Sequence, residues 1–355
     1  MSIRVPRIRT YLTALFAMLV ILGTTSCALE GGSGGAKDNK SALTTVKVGY
    51  LHTVAVDSHM WLGLADGTWE KHGLKLEPVK FDTGVALSQA LSGGSVDVGI
   101  MGAVMSNFPA RGGSKIFLVN DVEYDTAQLW VHPDSGIKSV KDLAGKKVLT
   151  TMGTTAQVYL YTALVKNGVD PKSVTVVNAS MSAAVTAFIS NAAPAVVLWV
   201  PFDLTVKKNS PDAIKLDSAS SYYPGAAILG GWITSDKFHK DHRDTLKKIA
   251  AGWLDVNEKL VGDTKSSLKK VHEKGYATTQ DLSATEGQFS FEKAFPNDEW
   301  VKKYDSGEVS QWIGQVEKVF VAIGGLPAYR EPSEFFDPSI FKQAASERGK
   351  QGGSN

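Results

Sequence analysis

Residues 150–161 (TTMGTTAQVYLY) have the residue types of a site that binds an anion without a charged side chain. A strand-like stretch ends at a glycine, two threonines follow, and a helix-like stretch begins. This order puts Thr154 or Thr155 at the N-cap of the helix, where backbone N–H groups are free and the helix dipole is positive. Such a helix start binds anionic groups. Plain helix capping explains the same pattern, so both interpretations stay open.

Two other strand ends have a related pattern. Met101, Gly102 and Ala103 follow a short apolar run, and the glycine allows another group to approach the backbone closely before a helix begins. The first strand ends at residues 49–53 (GYLHT), where His52 and Thr53 are candidate ligand contacts. His52 could donate a hydrogen bond to an anion or simply cap a loop. Because ligands of α/β proteins bind at the carboxyl ends of strands, these ends predict one shared site.

Aromatic and acidic residues could complete such a site. Trp199 ends a buried strand-like stretch and Tyr222 lies in a later loop, so both could wall a pocket or pack inside the protein. Asp121, Glu123 and Asp125 are clustered before the chain enters its second half. One of these acids, with Glu123 as the chosen candidate, could contact an ammonium group of a ligand. The alternative is a solvated acidic loop.

The sequence lacks the motifs of familiar reactions. It contains no GxSxG elbow, no HExxH motif and no convincing Cys/His pair. His239 and His242 have no third ligand at a matching spacing, so we expect no metal site and no cofactor. Binding without bond chemistry is the prediction, and an enzyme on the same scaffold is the alternative.

From residue 46 the chain alternates strand-like and helix-like stretches, which is typical of an α/β protein. The pattern predicts helices over 60–72 and 84–92 and a short buried strand over 96–101. After residue 239 the pattern changes to long amphipathic helices.

Two such α/β cycles predict two lobes, each a mixed sheet flanked by helices. Lobe 1 takes residues 46–126 and 233–342, lobe 2 takes 127–232, and 343–355 form a disordered tail. Two crossover strands would join the lobes and serve as a hinge. The ligand would then lie between the lobes.

The beginning of the chain resembles an export signal. Residues 1–10 hold three arginines and no acid, and an apolar run with small residues after it completes a signal peptide over 1–26. Cys27 comes directly afterwards, where a lipidated cysteine would stand, and 27–45 form a flexible tether. Two acyl chains on Cys27 would hold the protein at the outer face of the membrane or in the periplasm. An ordinary signal peptide with an incidental cysteine is the alternative.

Composition narrows the choice of partners. The 355 residues carry a net charge of +2, and without the three arginines of the leader 35 basic residues face 36 acidic ones. A body so close to neutral argues against nucleic acid, which needs a basic face. One cysteine excludes a disulfide framework. A small solute and a monomeric protein are expected.

Several motifs taken together resemble the substrate-binding proteins of nitrate/sulfonate/taurine-type ABC importers, over residues 46–240. The resemblance implies a periplasmic-binding-protein fold of the second type, with two lobes that close on a small solute and deliver it to a permease and its ATPase. It places the ligand loops at residues 50–53, 101–103 and 153–155, including Gly153, and at Trp199. The motifs are VGYLH (48–52), GLADGTWEKHGLKLE (63–77), ALSQALSGGSVDVGIMGA (86–103), SVKDLAGKKV (139–148), MGTTAQ (152–157) and LWVPF (198–202).

The resulting hypothesis is a lipid-anchored solute-binding component of an ABC importer. Its lead ligand is a small sulfonate such as taurine, with the anionic end at Thr154, Thr155 and residues 101–103. Alternatives are an amine, nitrate or a pyrimidine-like solute, a surface sensor or adhesin, and an enzyme like those that make the thiamine pyrimidine. That last group carries a cysteine-rich segment, which this chain lacks.

Overall fold

A computed structural model describes residues 42–352 of the chain. Cys27 and the predicted signal peptide lie outside the described residues. Within the described part, ten strands form two five-stranded sheets. The strands are β1 (Thr44–Tyr50), β2 (Leu74–Lys80), β3 (Val98–Met101), β4 (Ser114–Val122), β5 (Ala127–Val131), β6 (Lys147–Thr150), β7 (Thr175–Asn178), β8 (Ala195–Trp199), β9 (Ile214–Ser218) and β10 (Leu229–Ser235).

Helices connect and cover these strands. Most of them lie beside the two sheets, and the last seven follow β10 without another strand between them. The helices are α1 (Val54–Asp66), α2 (Thr68–Lys71), α3 (Gly84–Ser92), α4 (Val104–Ala110), α5 (Thr155–Lys166), α6 (Met181–Ile189), α7 (Phe202–Asn209), α8 (Asp236–Asp241), α9 (Arg243–Gly262), α10 (Thr264–Val271), α11 (Leu282–Phe289), α12 (Asn297–Asp305), α13 (Glu308–Ala322) and α14 (Ser339–Gly352). Among the described residues, no helix is both long and apolar enough to cross a membrane.

The two sheets have the same internal order. The first sheet runs β2-β1-β3-β10-β4 and the second runs β7-β6-β8-β5-β9. In each sheet four strands run in one direction and three of them pair with each other in parallel. The remaining strand, β10 in the first sheet and β5 in the second, is antiparallel to both of its neighbours. The carboxyl ends of the parallel strands therefore meet at one edge of each sheet, and the helix that follows each strand begins there.

The central strands are apolar along most of their length because both of their faces are buried. All four residues of β3 (VGIM) are buried, as are the first four of β8 (AVVLW). Such apolar runs are typical of parallel strands covered by helices. The buried apolar residues of the two sheets form one continuous core.

The chain passes between the sheets twice. It leaves the first sheet after β4, through residues 123–126, and returns between β9 and β10, through 219–228. The predicted mixed α/β class with two sheets flanked by helices is confirmed. β10 already belongs to the first sheet from Leu229 onwards, a few residues before the predicted boundary at 233. That the two sheets move as separate lobes stays a prediction.

Several predicted elements differ from the structure. The helix expected over 60–72 begins earlier, at Val54, and stops at Asp66 because Gly67 takes a left-handed conformation with φ 70°. The tail expected to be disordered over 343–355 is helical as far as Gly352. Its Arg348 donates a hydrogen bond to Asp255 at 2.8 Å, and Ala344 is buried. Residues 353–355 lie outside the described part.

Candidate functional site

A cavity lies where the carboxyl ends of strands from both sheets face each other. Its volume is about 70 Å³, and since one water needs roughly 10–15 Å³ of such space, it would hold about five waters or a small solute. It is lined by Leu51, Thr53, Val56, Asp82, Thr83, Gly84, Gly102, Val104, Glu123, Thr126, Thr154, Thr155, Trp199 and Val200.

Four helices begin at this cavity. Thr53 precedes α1, Thr83 precedes α3 and Thr154 precedes α5, while Gly102 lies just before the short α4. The Thr83 hydroxyl accepts a hydrogen bond from Ala86 N at 3.2 Å and so caps α3. The positive dipole ends of helices beside both sheets therefore point toward this cavity, which favours negative charge there.

One negative charge inside this volume belongs to the protein. The Glu123 carboxylate lies in the crossover after β4, and Oε1 accepts a hydrogen bond from Ala103 N at 3.0 Å. The same oxygen accepts one from Thr155 Oγ1 at 3.4 Å, and Oε2 accepts one from Thr126 Oγ1 at 3.0 Å. Ala103 begins α4 beside the first sheet and Thr155 begins α5 beside the second. A single carboxylate thus connects the helix starts of the two sheets.

Gly102 makes room for this carboxylate. A Cβ at position 102 would lie 2.2 Å from Glu123 Oε1 and 3.1 Å from Thr155 Oγ1, which is too close for any other residue without movement. The glycine predicted to allow a close approach does so, but the approaching group is a side chain of the protein itself.

Glu123 belongs to an acidic cluster, which we define as Asp57, Asp121, Glu123 and Glu292. All four side chains are buried, and among the described residues none of them forms an ion pair. Burial raises the pKa of Glu123 to about 7, although its three hydrogen bonds oppose the rise. Burial likewise raises the pKa of Asp57 to about 7, against hydrogen bonds from Tyr276 and Trp61. Burial and the charge of Glu123 raise the pKa of Asp121.

The solvated-loop interpretation of residues 121–125 is therefore wrong for two of its three acids. Asp121 is 1% exposed and Glu123 is 4% exposed. Asp125 differs, because it contacts Lys215 and the hydroxyls of Ser218 and Ser220, away from the cavity. The sequence shows that the three acids are close together along the chain. It does not show which of them faces the cavity and which faces away from it.

Six of the predicted ligand residues line the cavity: Thr53, Gly102, Glu123, Thr154, Thr155 and Trp199. Trp199 is partly buried and meets Phe202 edge to face, with 5.8 Å between ring centroids. Whether each of these residues contacts a ligand stays a prediction.

Three of the other predicted residues are occupied by contacts within the protein. His52 stacks on Tyr276 at 4.3 Å between ring centroids, and burial, aided by Lys80, lowers its pKa to about 4. The ring is therefore uncharged at neutral pH. The N–H of Ala103 donates to Glu123, as described above, and Met101 is fully buried.

Gly153 and Tyr222 also lie outside the lining residues. Gly153 N donates to Gln157 Oε1 at 2.6 Å, and Tyr222 OH donates to Asp217 Oδ2 at 2.5 Å. Tyr222 also accepts a hydrogen bond from Asn167 Nδ2 at 2.9 Å, so it joins α5 to the end of β9 rather than walling the cavity.

The start of α3 belongs to the cavity but was not predicted as part of the site. Asp82, Thr83 and Gly84 line the cavity, and α3 has the bounds 84–92 that the pattern predicted. The signal was present, since a strand, a threonine, a glycine and a helix follow one another here as they do near residue 154. Leu51 lies within the predicted ligand loop 50–53. Val56, Val104, Thr126 and Val200 also line the cavity but were not predicted, since their types give no sign of a site.

Two sheets of equal strand order, with a cavity at their facing strand ends, define a two-lobed solute-binding fold. The chain belongs to the NMT1/THI5 like family, whose model matches residues 58–255. The predicted kinship with nitrate, sulfonate and taurine-type binding proteins is confirmed.

Relatives of known name support this class. A putative binding protein of Brucella abortus (strain 2308) is 28% identical over 300 residues, which are 83% of this chain and 91% of the relative. The taurine-binding periplasmic protein of Escherichia coli (strain K12) is 25% identical over 213 residues, 58% of this chain and 64% of the relative.

Solved structures share the fold. The alkanesulfonate-binding protein SsuA from Xanthomonas axonopodis pv. citri, bound to MOPS, superposes with a TM-score of 0.68 at 18% identity, covering 84% of this chain and 99% of that one. The desulfurization enzyme DSZB also has this fold, with a TM-score of 0.60 at 10% identity, covering 86% of this chain and 99% of that one. The fold therefore hosts both binding and catalysis, and the choice between them has to come from the site.

Proposed function

We propose that this protein is the extracytoplasmic solute-binding component of an ABC importer and that it captures a small, taurine-like sulfonate. The observation that carries the proposal is the cavity at which α1, α3 and α5 begin. The first two helices follow strands of the first sheet, and α5 follows a strand of the second. The family's taurine-binding member and the sulfonate-binding neighbour support the ligand class. The described lining residues offer hydroxyls, helix starts and two carboxyls, and include no cysteine, histidine or lysine.

Capture would proceed by closure of two lobes without any bond being made or broken. The crossover segments 123–126 and 219–228 would act as the hinge. The sulfonate oxygens would accept hydrogen bonds at the starts of α3 and α5, where Thr83, Thr154 and Thr155 line the cavity. Because the closed form holds the solute on both sides, solute would shift the population toward it.

Delivery requires a membrane permease and its ATPase, and we propose both as partners of a monomeric binding protein. Removal of the signal peptide and lipidation of Cys27 would hold the protein at the outer face of the cell membrane or in the periplasm. Intact-mass measurement of protein purified from membranes checks this, because a diacylated mature chain is heavier than the same chain from a Cys27→Ser variant. Equal partition of both proteins into the aqueous phase of a detergent extraction would contradict the anchor.

A thermal-shift panel tests the ligand class. Taurine, other sulfonates, nitrate, simple amines and pyrimidines are each added to the purified protein, and sulfonates are expected to raise the unfolding temperature through mass action. Stabilisation by nitrate, amines or pyrimidines alone would show that the sulfonate assignment is wrong. Turnover of any of these compounds would favour the enzyme alternative.

A further inference from the structure

We infer that the solute carries a cationic hydrogen-bond donor, an ammonium or a protonated amine, and that Glu123 selects for it. This inference rests on the proposed function and adds to it the group that would distinguish amino-sulfonates from sulfonates without an amine.

The first observation is the composition of the cavity wall. Its titratable residues are both acids, Asp82 and Glu123, and none of the described lining residues is a lysine, arginine or histidine. The helix starts provide partial positive charge, but a plain monoanion such as nitrate or ethanesulfonate would face two carboxylates and no full positive charge. Like charges at short range in a partly buried site disfavour such a solute.

The second observation is the place that Glu123 occupies. Its Oε1 holds the Ala103 N–H at 3.0 Å, so the backbone donor at the start of α4 is already taken by a negative group. A sulfonate cannot use this donor while the carboxylate is there. An ammonium can instead lie against the carboxylate from the cavity side and leave the hydrogen bonds from Ala103, Thr126 and Thr155 in place.

The third observation is the absence of a counter-charge behind Glu123. Asp121 Oδ2 and both carboxylate oxygens of Glu292 are buried and have no hydrogen-bond partner among the described residues. Asp121 is 1% exposed and Glu292 is 8% exposed. Buried carboxylates need pairing or protonation. A cationic group bound at Glu123 would supply positive charge next to this acidic cluster, which no described residue does through an ion pair.

A matched set of solutes tests the selection. Isothermal titration at about pH 8, where a carboxyl with a pKa of about 7 is ionised, compares taurine with ethanesulfonate and 2-hydroxyethanesulfonate, which lack the amine. Ethylamine, which lacks the sulfonate, completes the set. In the wild type, taurine is expected to bind at least about tenfold more tightly than ethanesulfonate, since charge-assisted hydrogen bonds are the strong ones.

The variant Glu123→Gln removes the charge and keeps the side-chain shape and an oxygen for Ala103 N. It is expected to weaken taurine binding by about tenfold or more and to leave ethanesulfonate unchanged or bound more tightly. Glu317→Gln is the matched control, because Glu317 is also a buried carboxyl but accepts from Arg330 N far from the cavity. The control should keep the wild-type preference.

The outcomes separate the two proposals. Equal affinity of the wild type for taurine and ethanesulfonate overturns the inference and leaves the proposed sulfonate function intact. Binding of ethylamine that depends on Glu123, with no binding of any sulfonate, supports the inference and overturns the sulfonate function. Failure of both taurine and ethylamine to bind overturns the inference. If Glu123→Gln does not fold, the wild-type comparison of taurine with ethanesulfonate decides alone.

Discussion

At the scale of single residues, the site depends on one glycine and one carboxylate in contact. Gly102→Ala would put a Cβ 2.2 Å from Glu123 Oε1, and the carboxylate would have to leave Ala103 N and Thr155. We expect taurine binding to fall at least about tenfold and stability to fall by about 1–3 kcal/mol, the usual cost of overpacking. Calorimetric titration and urea unfolding measure the two effects.

Gly287→Ala is the control for this substitution. Gly287 lies inside α11, and a Cβ there would meet nothing within 4 Å. The alanine should therefore raise stability by up to about 1 kcal/mol through helix propensity and leave binding unchanged. Wild-type affinity in Gly102→Ala would show that the contact with Glu123 is not needed.

The raised pKa of Glu123 predicts a pH-dependent stability difference. The folded protein holds a proton on this carboxyl up to a pKa of about 7, whereas the ordinary value is 4.5. Its stabilising contribution is therefore full below pH 4.5 and is lost as the pH rises to about 7. Burial lowers the pKa values of His52 and His59 to about 4. These two histidines therefore make the free energy of unfolding rise with pH over part of this range.

Comparison of the wild type with Glu123→Gln removes the contribution of the histidines, which both proteins keep. The difference then reports the Glu123 carboxyl together with its effect on the pKa of Asp121. The free energy of unfolding of the wild type minus that of the variant should fall as the pH rises from about 4.5 to about 7 and level off above it. Urea unfolding at several pH values measures this difference. A difference that is flat across the range would mean that the carboxyl titrates as in a solvated glutamate.

Only part of this site could be predicted from the residue types. Helix-start threonines and the strand-end glycine were predictable because capping and close approach each favour a few residue types. The direction of Asp121 and Glu123 was not predictable, since the segment around them is held by residues far along the chain. Phe291 and Lys293 form backbone hydrogen bonds with Asp125 and Val122. The stacking of His52 was not predictable for a related reason, because its partner Tyr276 lies in the last third of the sequence.

At the scale of elements, strong local signals were sufficient for α3, whose bounds match the prediction, and for the buried strands β3 and β8. β9 was missed because its residues (IKLDS) are partly exposed and show no clear alternation. Its strand conformation comes from antiparallel pairing with β5. α14 was missed because its sequence is polar on average, and its apolar residues are buried against α9 only after folding.

The helical end of the chain gives a prediction at this scale. Ala344 is 2% exposed within α14, so Ala344→Asp would bury a charge and should lower the free energy of unfolding by about 2–4 kcal/mol. Ser346→Asp is the control on the same helix, because Ser346 is exposed and such changes stay within about 0.5 kcal/mol. Chemical unfolding compares the two. Equal stability of both variants would mean that Ala344 is not packed in the folded protein and would favour the predicted disordered tail.

At the scale of the whole molecule, the equal strand order of the two sheets places their helix starts opposite each other. The Glu123 carboxylate touches the start of α4 from one side and the start of α5 from the other, so the helix starts of the two sheets meet at the cavity. We expect this arrangement to be the closed form. Separation of the sheets would break the two long hydrogen bonds of Thr155 Oγ1, with Glu123 at 3.4 Å and with Ala103 N at 3.3 Å. It would leave the hydrogen bond between Glu123 and Ala103 N, which lies beside the same sheet as β4. The contact across the cavity is thus a weak one, and solute would have to add the remaining stabilisation of the closed form.

Small-angle scattering tests this closure. A solute that bridges the two sides is expected to lower the radius of gyration, because binding shifts the population toward the form in which both sides touch it. The scattering curve with saturating taurine should agree with the one calculated from residues 42–352, and the curve without solute should show a larger particle. Thr155→Val removes the hydroxyl that donates to Glu123 from the second sheet. The variant should bind taurine more weakly, and its radius of gyration without solute should be no smaller than that of the wild type. A radius of gyration that is the same with and without a bound solute would mean that the two sheets form one rigid body and that the solute enters without closure.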